Sequence, residues 1–191
     1  MIGNGGKQFW ESFKESDVSS SHPVDTFSEM LAEQFMGFFT GEPWIHKLYP
    51  PSVSVPLQKL GKWAGWSNPS LLGQDIHFEF GLWFAYRSVF ITNLELPLLK
   101  EEQRKSPCES CQSQDCIAAC HSGAVVGMSQ FDVSACVNFR MIVDSPCADN
   151  CTARLACPFA VQQRYNWDQI RYHYTFSLNA MKKYFKKVPF A

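Results

Sequence analysis

All eight cysteines of this chain lie between residues 108 and 157. They fall as Cys108, Cys111, Cys116 and Cys120, then Cys136 alone, then Cys147, Cys151 and Cys157, the last followed by Pro158. So many thiols in so short a stretch must be cross-linked, bound to metal, or packed as small apolar groups, and each solution dictates the path of the backbone. The first stretch, "MIGNGGKQFWESFKESD", lacks the basic start and apolar run of an export signal. No run of apolar residues is long enough for a membrane span. A cytoplasmic, reducing setting is therefore expected, and there clustered cysteines point to metal rather than to a disulfide framework.

Two kinds of metal site compete. Two four-cysteine zinc sites would use every sulfur, and Cys108-x-x-Cys111 suits a zinc knuckle; the chain would then be a zinc-stabilised interaction protein. Zinc sites, however, usually pair two close Cys-x-x-Cys units across a gap, whereas here four cysteines crowd between residues 108 and 120. That crowding suits a loop wrapped around a larger object. A 4Fe-4S cube needs one thiolate at each iron corner, and three neighbouring cysteines can serve three corners. In two-cluster ferredoxins the run is Cys-x2-Cys-x2-Cys-x3-Cys-Pro, and its fourth cysteine binds the other cluster. Here the run is Cys-x2-Cys-x4-Cys-x3-Cys-His, longer in one gap, and followed by "HSGAV". Spacing alone also permits two sequentially separate sites, Cys108 to Cys120 and Cys136 to Cys157.

The order of four clustered cysteines, then "FDVSACVNF", then "CADNCTARLACPF" resembles the cluster module of epoxyqueuosine reductases and of corrinoid-dependent reductive dehalogenases. The resemblance implies a crossed ligand set. Cys108, Cys111, Cys116 and Cys157 would hold the first 4Fe-4S cluster, and Cys120, Cys136, Cys147 and Cys151 the second. "HPVDTFSEML" (22–31) and "IHFEFGLWFAYRSVFI" (76–91) are similar to segments of cblC-type cobalamin-processing proteins, a branch of the nitroreductase-like corrinoid-binding fold. The whole chain most resembles small bacterial ferredoxin-like proteins, which carry "GLWxAYR" before the cysteines. The resemblance thus implies two 4Fe-4S clusters and allows a corrinoid held by the front half.

Three regions are expected: an aromatic-rich N-terminal domain (1–105), a two-cluster ferredoxin-like module (106–160) and a basic helical tail (161–191). The fold class is α+β. "DTFSEMLAEQFMGFF" (25–39) spaces Phe27, Leu31, Phe35 and Phe38 as a helix with Asp25 as N-cap. "GEPWIHKLYPPSVSVP" (41–56) reads as loop. Arg87 to Thr92 reads as a buried strand. "KEEQRKSP" (100–107) is the polar connection, and 163–187 reads as one or two closing helices.

The formal net charge is −1, so nothing global points to nucleic acid. The tail nonetheless carries Arg164, Arg171, Lys182, Lys183, Lys186 and Lys187 against Asp168 alone. The plain reading is a solvated helix face; the sharper one is a docking surface for an acidic redox partner or tRNA. Arg87 sits in an apolar run and needs a partner, either a salt bridge with Glu79 or Asp75 or an anionic cofactor group that it clamps. His77 is either a satisfied histidine at the start of a strand or a metal or cobalt ligand. Trp44, Trp63, Trp66 and Trp83 are candidate core residues or walls for a flat cofactor. His121 is a candidate hydrogen-bond donor beside a cluster. The expected function is electron transfer through two 4Fe-4S clusters, with a small reductase acting through a corrinoid or similar flat cofactor as the alternative.

Overall fold

The computed structural model describes residues 1–41, 43–50, 53–96, 104–127 and 130–185. The front opens with β1 (Ile2–Gly5) and a short α1 (Gln8–Lys14). Helix α2 (Pro23–Met36) begins on proline, whose fixed φ and missing N–H suit a first helical position. Asp25 is therefore not the expected N-cap, which is His22; it lies in the first turn, where the helix dipole still favours a carboxylate. Val24, Phe27, Ser28, Ala32 and Met36 form the buried face. Phe35 and Phe38, placed by spacing on the same helix, are 38% and 85% exposed. Phe38 lies past the helix end, and Phe35 meets the Phe39 ring instead at 5.1 Å.

The segment expected as loop contains β2 (Ile45–Tyr49). Prolines flank this strand without entering it, and an edge strand needs ladder bonds on one side only. Helix α3 (Leu57–Trp63) and the hairpin of β3 (Ser67–Pro69) and β4 (Asp75–His77) follow. Strand β5 (Phe84–Thr92) starts earlier than expected and forms the centre of a three-stranded antiparallel sheet, between β1 and β2. Gly61 is required by close approach: a Cβ there would collide with the Tyr86 hydroxyl, which donates to Asp75. Trp83 is buried, whereas Trp44 and Trp63 are exposed, so the tryptophans do not form one wall.

The cysteine segment is built of short pieces: α4 (Asp115–Ala118), a hairpin of β6 (Val125–Gly127) and β7 (Gln130–Phe131), α5 (Val133–Met141) and α6 (Thr152–Ala156). Helices this short do not persist alone and depend on what they pack against. Their core is continuous with the front. Cys116 packs with Leu71, Val125 and Ala153, and Cys157 packs with Ile76 and Leu82. Leu72 and Cys108 touch both clusters.

The chain closes with α7 (Trp167–Phe185), a single helix. It spans both halves: Asp168 accepts from Trp10 Nε1 at 2.7 Å, and Arg140 of α5 donates to the Tyr174 carbonyl at 3.0 Å. Lys182 and Lys183 are exposed in the last turn, where the dipole favours cations. Lys186, Lys187 and residues 100–103 of the expected connection lie outside the described residues. No helix among the described residues is long and apolar enough to cross a membrane.

Candidate metal centre

The cysteines gather into two groups that interleave along the sequence. Burial pushes the Cys116 thiol up to about 11, and the neighbouring Cys157, Cys108 and Cys111 add to the shift. Burial also raises Cys157, which feels Cys108 and Cys111 in turn. In the second group, burial pushes Cys136 up to about 11, with Cys151, Cys120 and Cys147 around it. Cys147 is raised by burial and by Cys151 and Cys120. Cys157 thus faces the first run, and Cys120 faces the later cysteines. In each group two thiols are raised, by burial first and by neighbouring thiols second: Cys116 and Cys157 in one, Cys136 and Cys147 in the other.

Cys120, Cys136, Cys147 and Cys151 all line one cavity of about 150 Å³. The chain aims hydrogen-bond donors at its sulfurs. Burial works to raise the Cys120 thiol. The Ser122 hydroxyl, 3.4 Å away, and the amides of Val125, Ala124 and Ser122 outweigh it and leave it lowered. The Arg154 amide donates to Cys151 Sγ at 3.4 Å. The N-cap role of Cys151 on α6 and this contact are the same interaction. His121 lines the cavity as well, stacked on Phe139, with Nδ1 2.9 Å from the Thr152 hydroxyl. The Thr152 proton goes to the Ala119 carbonyl at 2.6 Å, so His121 is the donor of that pair.

Sequence reasoning overlooked two arginines. Arg140 and Arg154 are both 9% exposed, and among the described residues neither has an acidic partner. Arg140 donates to the Cys147 carbonyl at 3.1 Å and to Ser177 and the Tyr174 carbonyl at 3.0 Å. Arg154 donates through Nε to the Leu82 carbonyl at 3.1 Å, and its plane lies 4.5 Å over the Trp83 ring. Burial opposes its charge, but Tyr174, Tyr165 and Cys151 favour it, and the net shift is upward. A buried unpaired cation is unfavourable unless negative charge lies nearby. Two thiolate quartets would supply that charge. Arg140 acts on Cys136, and Arg164 acts on Cys157. The only sequence signal was two arginines inside an otherwise acidic segment.

Among the described residues, no three His, Cys, Asp or Glu side chains converge closely enough to share one metal ion. A zinc ion would hold its sulfurs about 2.3 Å from one centre. A cube attaches each thiolate to a different iron, so its four sulfurs stand farther apart.

The other two candidates serve separate neighbourhoods. His77 Nδ1 accepts from the amides of Glu79 and Phe80 at 3.0 and 3.2 Å, closing the turn after β4. Its ring lies against Phe80 and Phe84, and burial lowers its pKa. Arg87 meets neither Glu79 nor Asp75; Nε donates to Asn4 Oδ1, and the guanidinium lies 4.8 Å over the Phe9 ring. Asp75 is engaged by Ser67 and Tyr86. No family model, curated protein or solved structure matches this chain.

Proposed function

We propose that this chain is an iron–sulfur electron-transfer protein with two 4Fe-4S clusters, one on Cys108, Cys111, Cys116 and Cys157, the other on Cys120, Cys136, Cys147 and Cys151. The observation that carries the reading is the cavity lined by Cys120, Cys136, Cys147 and Cys151, with Cys120 brought to the later cysteines across the chain. Amide donors at the sulfurs and guanidiniums nearby are what a negatively charged cluster needs, since both tune its potential and offset its charge. The electrons would pass to a redox partner protein. Anaerobic purification or reconstitution should yield brown protein with about eight iron atoms per chain. Stoichiometric zinc without visible absorption would overturn the proposal in favour of a zinc-stabilised interaction protein.

A second reading, a small reductase, has one observation in its favour. An open groove of about 540 Å³ shares Gln74 and Phe131 with the thiol-lined cavity and carries Lys59 and Lys62 on its wall. A corrinoid or similar flat cofactor seated there would lie beside the second quartet. Titrating cluster-loaded protein with hydroxocobalamin and following its absorption bands tests this; unchanged bands remove the corrinoid from the reading.

A further inference from the structure

Away from the cysteines, the first turn of α2, the middle of β5 and one face of α7 enclose a cavity of about 120 Å³. Two opposite charges face it, Asp25 and Arg87. Among the described residues only Nε of the Arg87 guanidinium has a hydrogen-bond partner, and no carboxylate is in ion-pair contact with it. The Asp25 carboxylate likewise has no hydrogen-bond partner among those residues. A neighbouring Arg and Asp ordinarily close on each other as a bidentate pair. These two feel each other's field without touching. Burial raises the Asp25 carboxyl although Arg87 pulls it down, and burial lowers Arg87 although Tyr165 and Asp25 hold it up.

A third polar group on the cavity is also unsatisfied. His173 lines it, and His173 Nε2 is buried without a hydrogen-bond partner. Burial, Arg87 and Arg154 hold this ring neutral, with its pKa pushed down to about 3. Buried polar groups are seldom left unpaired, and Asp25, Arg87 and His173 on one cavity mark a space that something polar fills. Water could satisfy the neutral groups but would not neutralise two separated charges.

The size of the space limits the occupant. An apolar cavity of about 150 Å³ holds benzene, so this one takes roughly five non-hydrogen atoms. That excludes a nucleotide or a corrin ring. Exposed His22 and Phe176 form an aromatic rim of the lining, their rings meeting edge to face at 5.5 Å. A bare anion would be repelled by Asp25, and a bare cation by Arg87.

We propose that this cavity binds the headgroup of a free α-amino acid, its carboxylate on the Arg87 guanidinium and its ammonium on Asp25, with the side chain at the aromatic rim. The proposal is independent of the clusters, and iron content does not enter its test. Calorimetric titration of the purified full chain with L-alanine, acetate, ethylamine and inorganic phosphate decides it. L-alanine should bind at least about tenfold tighter than acetate or ethylamine, each of which satisfies one charge only. Arg87→Gln should abolish binding of L-alanine. Asp25→Asn should weaken L-alanine about tenfold while leaving acetate unchanged or tighter, an opposite response that misfolding cannot produce. If Arg87→Gln does not fold, the ligand series and Asp25→Asn still decide the matter. Acetate or phosphate binding as tightly as L-alanine would make this a simple anion site and overturn the proposal. No heat with any of the four ligands at millimolar concentration would overturn it as well.

Discussion

The two cysteine quartets share one chemistry and one short stretch of chain, yet they sit differently in the fold. In the first, Cys116 and Cys157 are buried and packed against Leu71, Ile76 and Leu82 of the front half. In the second, all four cysteines are half-buried and line an open cavity, braced through Arg140 against α7. The first quartet is thus part of the core that joins the cysteine segment to the front. The second borders the surface. The difference shows that a cysteine-rich stretch need not be a separate module: Cys116 and Cys157 belong to apolar groups shared with the front half.

The largest test of this contrast is removal of single thiols. Cys157→Ser should deplete the site shared with Cys108, Cys111 and Cys116, losing about four irons, and should also lower stability because Cys157 belongs to the core. Cys120→Ser should deplete the other site by a similar amount with a smaller loss of stability. Iron analysis with thermal melts checks both. Were each mutation to strip the cysteines nearest in sequence, the interleaved grouping would be broken.

Next in size are the buried arginines. Arg154→Leu leaves the Leu82 carbonyl unpaired inside the protein and removes a bond between α6 and the front half. Denaturant melts should show a loss of about 3 kcal/mol. Arg140→Leu instead frees the Cys147 carbonyl and loosens α7 from α5. Its signature should be faster iron release to a chelator from the second site. Equal release from both sites would blur the distinction drawn between them.

A smaller effect separates acid sensitivity of the α7 packing from acid loss of metal. Folded His173 is depressed to about 3 from an ordinary 6.5 by burial and by Arg87 and Arg154. As pH falls below 6.5 the unfolded chain takes up this proton first, so stability present at neutral pH is lost progressively toward pH 3. His173→Phe should flatten that part of the stability profile, measured in metal-loaded and metal-free protein alike. An unchanged slope would mean that thiol protonation alone governs acid unfolding.

The smallest effect is expected at the tail. Lys182→Glu together with Lys183→Glu should change stability by less than about 1 kcal/mol, since both side chains are exposed. A steep, salt-dependent loss of partner affinity in this double variant would move the docking surface from the second quartet to α7.

The crowding of the eight thiols was legible because cysteine count and spacing are local. The α+β class was legible from the helical pattern around Phe27 and the β-branched run in β5. Strand β2 was not, because its ladder to β5 is set by register with residues Val89 to Thr92, while its own sequence is dominated by the flanking prolines. The start of α2 was misplaced because an N-cap aspartate and a first-turn aspartate look alike until the proline at the helix start is weighed.

By itself, the sequence determined that eight thiols must be satisfied within the one stretch from Cys108 to Cys157. It left open which thiols share a centre, since spacing permits sequential as well as interleaved quartets. Only the tertiary structure shows Cys157 carried back beside Cys108 and Cys111 through its packing on Ile76 and Leu82. It also decided what the buried Arg140 and Arg154 bind, since their partners are backbone carbonyls. Every residue type presents a carbonyl, so no side-chain pattern announces such a contact, and it exists only once the chain has folded back on itself.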